Sequence, residues 1–122
     1  MTKVAILGFG TVGSGVAEVL SKNSQGIARR SGGEIQVKYI LDVRDFPDSP
    51  FKDCFVKDFS IIENDPEVDV VVETIGGAKV ALEFTTRALK AGKSVVSSNK
   101  ELVATHGWEL LQLAKANGVS YL

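Results

Sequence analysis

The sequence predicts a doubly wound α/β domain, in which helices cover both faces of a parallel β-sheet. Short apolar runs alternate with helical patterns along the 122 residues, and a chain of this length fits one domain. The runs are apolar throughout, which suits strands that are buried on both faces. Two helical patterns end in glycine just before the next run, at Gly92 and Gly118, where a left-handed residue closes a helix.

Each predicted element follows from the spacing of its apolar residues. The predicted strands are 3–7, 35–42, 68–77, 94–98 and 118–122. The predicted helices, with apolar residues three to four positions apart, are 11–21, 78–91 and 101–117. The polar segment 22–33 leaves a short extra helix open, and the prolines of segment 44–54 predict a loop.

Composition and charge argue against several kinds of binding partner and site. The formal net charge is −1 and no basic stripe is present, which argues against a nucleic-acid partner. No apolar run approaches the ~20 residues of a membrane span. The single cysteine, Cys54, cannot form an internal disulfide, so we expect a cytoplasmic protein. His106 has no second ligand at metal-binding spacing, so no metal site is expected.

A glycine-rich turn joins the first predicted strand to the first predicted helix. The sequence ILGFGTVGSGV contains the pattern G-x-G-x-x-G at Gly8, Gly10 and Gly13. In a dinucleotide-binding turn of the Rossmann type, the first glycine permits the tight turn and the second lets the backbone approach a pyrophosphate. The third lets the helix pack closely on the strand, and the helix amino terminus offers N–H groups to the phosphates. The alternative is a plain strand–turn–helix with incidental glycines.

The end of the second predicted strand offers residues for the adenosine ribose of a dinucleotide. An acid there binds the 2′-hydroxyl of NAD, whereas an arginine accepts the 2′-phosphate of NADP. The sequence LDVRD offers Asp42, Arg44 and Asp45, and Asp42 lies further from the glycines than the usual ~20 residues. Arg44 favours NADP, and the two aspartates keep NAD open. A surface ion pair between Arg44 and Asp45 is the structural alternative.

Two predicted strands run into polar residues, in the sequences ETIGG and SSNK. Ligands of doubly wound sheets bind outside the carboxyl ends of the strands. We therefore expect both stretches to border the nicotinamide half of the dinucleotide. Glu73 is either a general base at the strand end or an acid that bonds nearby backbone amides.

Three stretches of the chain resemble one family. GFGTVGSGV, VVETIGG and VVSSNKELVATHG together resemble the amino-terminal cofactor domain of homoserine dehydrogenase, and the resemblance covers essentially the whole chain. The asparagine–lysine step is its most specific part, because many dehydrogenases share the glycine turn. The resemblance implies a homo-oligomeric enzyme that reversibly reduces aspartate 4-semialdehyde to homoserine with NAD(P)H, on the route to threonine and methionine.

The same resemblance implies residues at the pyrophosphate turn, at the adenosine 2′ position, and at the nicotinamide with its ribose. Phe9, Thr11 and Val12 would line the pyrophosphate turn, and Arg44 and Lys57 would flank the adenosine 2′ position. Thr74, Ile75 and Ser98 would neighbour the nicotinamide and its ribose. Lys52 is an alternative to Lys57, because the loop before it varies in length. Lys100 matches the family's active-site lysine on the cofactor side.

A lysine suits this chemistry. Hydride arriving at an aldehyde carbon leaves a developing alkoxide, which a nearby cation stabilises and an acid protonates. Lysine is cationic at neutral pH unless it is desolvated. The alternative for Lys100 is a solvated lysine at a helix start, where positive charge is mildly unfavourable.

The resemblance also implies that the family's substrate-binding acids, its second catalytic lysine and its subunit-pairing region lie beyond Leu122. Residues 1–122 are therefore expected to be the cofactor-binding domain of a longer enzyme, and to bind the dinucleotide without turnover. Two alternatives stay open, another amino-acid or semialdehyde dehydrogenase and a non-catalytic dinucleotide-sensing module. Trp108 and Tyr121 are expected to be packing residues.

Overall fold

The computed structural model describes residues 2–22 and 35–122, which form a five-stranded parallel sheet with helices on both faces. The strands are β1 (Thr2–Leu7), β2 (Ile35–Leu41), β3 (Phe55–Val56), β4 (Val68–Glu73) and β5 (Ser94–Ser97). The helices are α1 (Thr11–Lys22), α2 (Phe59–Glu63), α3 (Lys79–Lys90) and α4 (Lys100–Ala116), with a 3-10 turn at Lys52–Cys54. The strand order is β3-β2-β1-β4-β5, with the first strand in the centre.

Two apolar cores hold the helices against opposite faces of the sheet. Alternate side chains of a strand point to opposite faces, so Ile6 and Leu7 enter different cores. Leu7 packs with buried residues of α2, α3 and α4, among them Leu89 and Leu110. Ile6 packs in the other core with Ala17 of α1. The predicted fold class, a doubly wound parallel sheet, is confirmed.

The parallel register brings four strand ends to one edge of the sheet. Leu7 pairs with Leu41 on one side and with Glu73 on the other, and Glu73 pairs with Ser97. The segments that follow these positions therefore meet, and we call this region the carboxyl edge.

Several element boundaries differ from the sequence prediction. The predicted strand 68–77 ends at Glu73, and Gly77, with a φ of 80°, has a left-handed conformation that does not fit an extended strand. The predicted strand 118–122 is reduced to a bridge between Tyr121 and Val95. The strand β3 and the helix α2 are not predicted, since elements of two and five residues show no periodicity. The helix left open in segment 22–33 lies outside the described residues, apart from Lys22 at the end of α1.

The expected packing role of Trp108 is wrong. Trp108 is 74% exposed, because α4 turns Leu102, Leu110 and Ala114 towards the core and Trp108 away from it. Tyr121 is 6% exposed, which confirms its packing role. Within the described residues, no helix is long and apolar enough to cross a membrane. Nor does that part of the chain gather three or more His, Cys, Asp or Glu side chains as a metal site.

Candidate functional site

The glycine turn between β1 and α1 is tightly packed on one side and open on the other. Gly8 has a φ of 94°, which glycine adopts without strain, and its N–H donates to the Leu41 carbonyl over 2.7 Å. A Cβ at Gly13 would lie 2.0 Å from the Gly8 carbonyl oxygen, so helix and strand touch there. A Cβ at Gly10 would meet no described atom within 4 Å. A ligand can therefore reach the backbone at Gly10.

The first turn of α1 continues the open side of the glycine turn. It contains no acidic residue that would compete with an anion. Its first N–H groups have no partner within the helix, and the helix dipole adds about half a positive charge there. Thr11 and Val12 are exposed at this position, whereas Gly13 is buried. This arrangement suits a phosphate group.

Asp42 and Arg44 form a polar pair at the end of β2. The Asp42 carboxylate accepts a hydrogen bond from the Phe9 N–H at 2.8 Å and two from the Arg44 guanidinium at 3.0 Å each. These bonds, chiefly those from the Arg44 side chain, lower the pKa of Asp42 to about 2. Arg44 therefore pairs with Asp42, and the structural alternative of an Arg44–Asp45 pair is wrong.

Lys57 supplies a second cation beside Arg44. Its ammonium group donates to the Val43 carbonyl over 2.9 Å and lies 2.8 Å from the Asp45 carboxylate. Lys57 and Arg44 line the same cavity. Lys52 is absent from that cavity's walls but lines a neighbouring one together with Arg44 and Lys57. The structure thus brings Arg44 and Lys57 together, as the sequence predicts.

A cavity of about 470 Å³ lies at the carboxyl edge and is lined by most of the predicted cofactor residues. Those residues are Gly8, Phe9, Gly10, Arg44, Lys57, Thr74 and Ile75. Apolar walls are added by Leu41, Val43, Val80 and Phe84. Sequence patterns do not single out Val80 or Phe84, because their spacing on α3 indicates core packing. Two cations and apolar walls in one cavity suit a phosphorylated nucleoside. We call it the adenosine cavity, after Arg44 and Lys57. Its lining also includes the Asp42 carboxylate that pairs with Arg44, and Thr74 and Ile75, which the sequence predicts beside the nicotinamide.

Phe9 separates this cavity from a larger one of about 780 Å³ between α1 and the loop 45–51. The ring of Phe9 packs edge-on at centroid distances of 5.0, 6.2 and 5.0 Å against the rings of Phe46, Phe51 and Phe55. Phe9 therefore anchors the loop after β2 to the glycine turn. Among the described residues, the charged side chains that line the larger cavity are Glu18, Asp45 and Asp48.

Glu73 joins the ends of β4 and β5. Its fully buried carboxylate accepts hydrogen bonds from the Ile75 N–H and from the Ser97 hydroxyl, both at 2.7 Å. Burial raises the pKa of this carboxyl group. Of the two interpretations of Glu73, the structure confirms the one in which it bonds a nearby backbone amide. An enclosed carboxylate with these partners is not placed to contact a substrate.

Thr74 and Ser98 direct their hydroxyls at carbonyls of the protein. Thr74 Oγ1 donates to the Leu7 carbonyl over 2.7 Å. A Cβ at Gly8 would lie 3.0 Å from Thr74 Oγ1. Ser98 Oγ donates to the Glu73 carbonyl over 3.2 Å. Both hydroxyls keep lone pairs that can accept a hydrogen bond from a ligand.

Asn99 caps α4 and links it to the segment after β4. Its Oδ1 accepts the Leu102 N–H at 3.0 Å, which is the usual N-cap bond. Its Nδ2 donates to the Ile75 carbonyl over 2.9 Å and to the Gly77 carbonyl. From sequence, Asn99 is recognisable only as part of the SSNK stretch, which gives no sign of this link. The available signal is the preference for asparagine at N-caps, which predicts the cap but not the link.

Lys100 is the first residue of α4 and is exposed. It lines a second cavity of about 410 Å³, together with Ser97, Ser98 and Val103. We call this the Lys100 cavity. Neither Lys100 nor Ser98 lines the adenosine cavity. The predicted residues that line a cavity are therefore divided between two cavities at one edge, and Thr11, Val12 and Gly13 line neither of them.

The chain is similar to known proteins along nearly its whole length. A family model described as "Homoserine dehydrogenase, NAD binding domain" matches residues 8–122. Homoserine dehydrogenase of Pseudomonas aeruginosa is 44% identical over 119 residues, which cover 96% of this chain and 27% of that protein. The enzyme of Corynebacterium glutamicum is 41% identical, over 95% of this chain and 26% of that protein. The chain thus spans just over a quarter of the length of these curated relatives.

Solved structures agree with the sequence comparison. Homoserine dehydrogenase from Thiobacillus denitrificans has a TM-score of 0.90 and 38% identity, over 98% of this chain and 28% of that chain. S. aureus homoserine dehydrogenase at pH 7.5 also has a TM-score of 0.90, with 35% identity, over 98% of this chain and 31% of that chain. The matched region contains the glycine turn and both cavities. The chain therefore belongs to the homoserine dehydrogenase family and corresponds to its NAD-binding domain.

Proposed function

We propose that this chain is the cofactor-binding part of a longer enzyme that reversibly reduces aspartate 4-semialdehyde to homoserine, on the route to threonine and methionine. The observation that carries the proposal is the adenosine cavity, where the glycine turn meets Arg44 and Lys57. A dinucleotide suits this site because the backbone is accessible at Gly10 and two cations are available to a phosphate. The names of the relatives support the reaction.

The proposal divides the site residues by the part of the dinucleotide that each contacts. The pyrophosphate residues are Gly8, Phe9, Gly10, Thr11, Val12 and Gly13. The 2′-phosphate residues are Arg44 and Lys57, and the nicotinamide residues are Thr74, Ile75, Ser98 and Lys100.

Lys100 is the proposed catalytic residue. The bound nicotinamide supplies the hydride. Lys100 adds a positive charge at its cavity, where it stabilises the negative charge that develops on the aldehyde oxygen and holds a proton for that oxygen. Within residues 2–22 and 35–122, Lys100 forms no ion pair or side-chain hydrogen bond, so its ammonium group is available for this role. The Asn99 cap keeps Lys100 at the start of α4.

We propose that the site prefers NADP and accepts NAD. The guanidinium of Arg44 carries five N–H donors, and two of them bond Asp42. Three donors therefore remain for a 2′-phosphate, and Lys57 adds a second charge. The ribose hydroxyls of NAD have to compete with Arg44 for the Asp42 carboxylate, which favours NADP.

The proposed enzyme is cytoplasmic and homo-oligomeric, and its partner is a small-molecule substrate rather than nucleic acid or a membrane. The single cysteine and the net charge of −1 support this assignment. The chain spans just over a quarter of its relatives, so we expect it to bind the dinucleotide without turning over substrate.

Calorimetric titration with NADPH and then NADH, at fixed salt, tests this proposal. We expect both to bind and NADPH to bind more tightly. Arg44→Gln and Lys57→Gln should each lower NADPH affinity by roughly tenfold, with less effect on NADH, because only NADPH carries the 2′-phosphate.

Lys52→Gln is the charge-matched control, because Lys52 shares the neighbouring cavity with Arg44 and Lys57 but does not line the adenosine cavity. It should change NADPH affinity by less than about twofold. Tighter binding of NADH, or equal losses for both dinucleotides, would contradict the preference for NADP. If the folded chain binds neither dinucleotide, the proposed function is wrong.

A further inference from the structure

Asn99 lines the Lys100 cavity and is hydrogen-bonded to a wall of the adenosine cavity. Ile75 lines the adenosine cavity, and its carbonyl accepts a hydrogen bond from Asn99 Nδ2 at 2.9 Å. Lys100 lines the other cavity and follows Asn99 directly in the chain. One residue therefore connects the two walls.

The side chain of Asn99 makes more bonds than a helix cap needs. A cap requires one acceptor, which serine, threonine or aspartate also provides. Asn99 uses Oδ1 for the cap at Leu102 and both N–H donors of Nδ2 for the carbonyls of Ile75 and Gly77. The residue is 8% exposed, so water cannot readily replace these bonds. Only an amide satisfies all three partners.

The backbone of Asn99 is fixed as well. Its N–H donates to Ser97 Oγ over 3.1 Å, and Ser97 Oγ donates to Glu73 Oε1 over 2.7 Å. Glu73 in turn accepts the Ile75 N–H at 2.7 Å through Oε2. Two routes thus join the segment after β4 to the segment after β5, one through Asn99 and one through Glu73.

We propose that Asn99 is a positioning residue that sets the distance between the adenosine cavity and Lys100. This inference rests on the proposed function, in which one dinucleotide occupies both cavities. A ligand with two linked halves gains full affinity only when the spacing of its two sites matches its own length. A small displacement of a catalytic group also lowers the rate, because the reacting atoms lose their alignment.

The variant Asn99→Asp separates the cap from the link. It keeps an acceptor for the Leu102 N–H, removes both donors, and places a carboxylate oxygen against the carbonyls of Ile75 and Gly77. Titrations compare NADPH, which spans both cavities, with adenosine 2′,5′-bisphosphate, which reaches only the first. We expect NADPH affinity to fall roughly tenfold or more and the fragment's affinity to fall less than threefold.

Two further variants control for loss of fold stability. Asn117→Asp makes the same change at the other end of α4, where Asn117 Nδ2 donates to the Leu113 carbonyl over 2.9 Å. It should leave both affinities unchanged. Asn99→Ser keeps a capping hydroxyl without adding charge, and it should repeat the selective loss of NADPH affinity if Asn99→Asp does not fold.

The outcomes distinguish this inference from the proposed function. Equal losses for NADPH and the fragment would mean that Asn99 only shapes the adenosine cavity, and would overturn the spacing role. Unchanged NADPH binding in a folded Asn99→Asp variant would also overturn it, while leaving the proposed function standing. If the unmodified chain binds neither probe, the proposed function fails and this inference fails with it.

Discussion

The two edges of the sheet both carry charged side chains, but they use them differently. At the amino edge, just before β4, Asp65 and Glu67 neutralise lysines of β1 and β2. Lys38 Nζ lies 2.5 Å from Asp65 and 2.9 Å from Glu67, and Lys3 Nζ lies 2.6 Å from Glu67. The Tyr39 hydroxyl donates to Asp65 over 2.6 Å, and these bonds hold the pKa of Asp65 well below its usual range. The charges here stabilise the fold.

At the carboxyl edge, the cations are held but remain accessible. Arg44 and Lys57 are paired with Asp42 and Asp45, yet their side chains are 59% and 58% exposed, against 26% for Lys38 at the other edge. Lys100 has no charged partner among the described residues. Lys38 is therefore a less exposed charge that is paired within the fold, whereas Arg44 and Lys57 are paired but keep exposed donors, which the proposed function assigns to a ligand.

The largest expected effect comes from Gly13→Ala at the carboxyl edge. The new Cβ would lie 2.0 Å from the Gly8 carbonyl oxygen and 2.9 Å from Thr74 Oγ1. Because the closest atom belongs to the backbone, we expect a loss of roughly 3 kcal/mol or more in the free energy of unfolding, together with loss of NADPH binding. Urea denaturation and calorimetry measure the two effects.

Gly15→Ala is the matched control for Gly13→Ala. Gly15 also lies in α1, but a Cβ there would meet no described atom within 4 Å. Alanine is favoured over glycine inside a helix, so the free energy of unfolding should rise by about 0.5–1 kcal/mol. Equal behaviour of the two variants would contradict the close packing at Gly13.

An intermediate effect is expected from Lys93→Met at the amino edge, on stability alone. Lys93 is 3% exposed, burial lowers its pKa, and its Nζ donates to the carbonyls of Asp65 and Val68 over 2.7 and 3.1 Å. Losing these two bonds in a buried position should cost about 1–3 kcal/mol of unfolding free energy, although the Asp65 carbonyl keeps the Val68 N–H as a donor. NADPH affinity should not change, because the site lies at the opposite edge.

Lys90→Met is the control for Lys93→Met, since Lys90 is exposed at the end of α3. It should change the free energy of unfolding by less than about 0.5 kcal/mol. A weaker NADPH affinity in Lys93→Met than in Lys90→Met would contradict the claim that the amino edge affects stability but not NADPH binding.

The smallest effect appears only in acid and compares Asp42 with Asp65. Both pKa values are lowered, that of Asp42 to about 2 because of its bonds with Arg44. Each carboxylate therefore stabilises the fold above about pH 4, and this contribution is lost as the pH falls through the lowered pKa. Asp42→Asn should lessen the fall in unfolding free energy between about pH 4 and pH 2. Asp65→Asn should also lessen the fall in unfolding free energy, over a pH range that extends to lower pH because the pKa of Asp65 is lowered further. Urea denaturation from pH 2 to 7 measures both, and unchanged pH profiles would contradict the assigned partners.

The central elements of the fold could be predicted because their signals are local. The apolar run of β1, the glycines at Gly8, Gly10 and Gly13 and the periodicity of α1 lie within one continuous stretch of sequence. Parallel pairing then places the strand ends at one edge, which is why the polar stretches after β4 and β5 could be predicted to lie there.

Other features depend on contacts between distant residues. The hydrogen bond between Phe9 and Asp42 joins two segments whose sequences do not indicate that they meet. The same holds for the hydrogen bonds of Glu73 with Ser97 and of Asn99 with Ile75. The exposure of Trp108 was mispredicted because residue type was given more weight than position on the helix face. Whether a large side chain is buried depends on the residues that surround it in space, and a single sequence does not show which residues these are.

The position of β1 in the sheet also has a kinetic consequence. β1 is synthesised first, yet it lies in the centre of the sheet between β2 and β4. Leu7 pairs with Leu41 on one side and with Glu73, 66 positions further along the chain, on the other. Pairing between residues far apart in sequence slows folding, and an unpaired strand edge can pair with another chain. The edge of β1 that faces β4 therefore has no partner of its own until Val68–Glu73 have been synthesised.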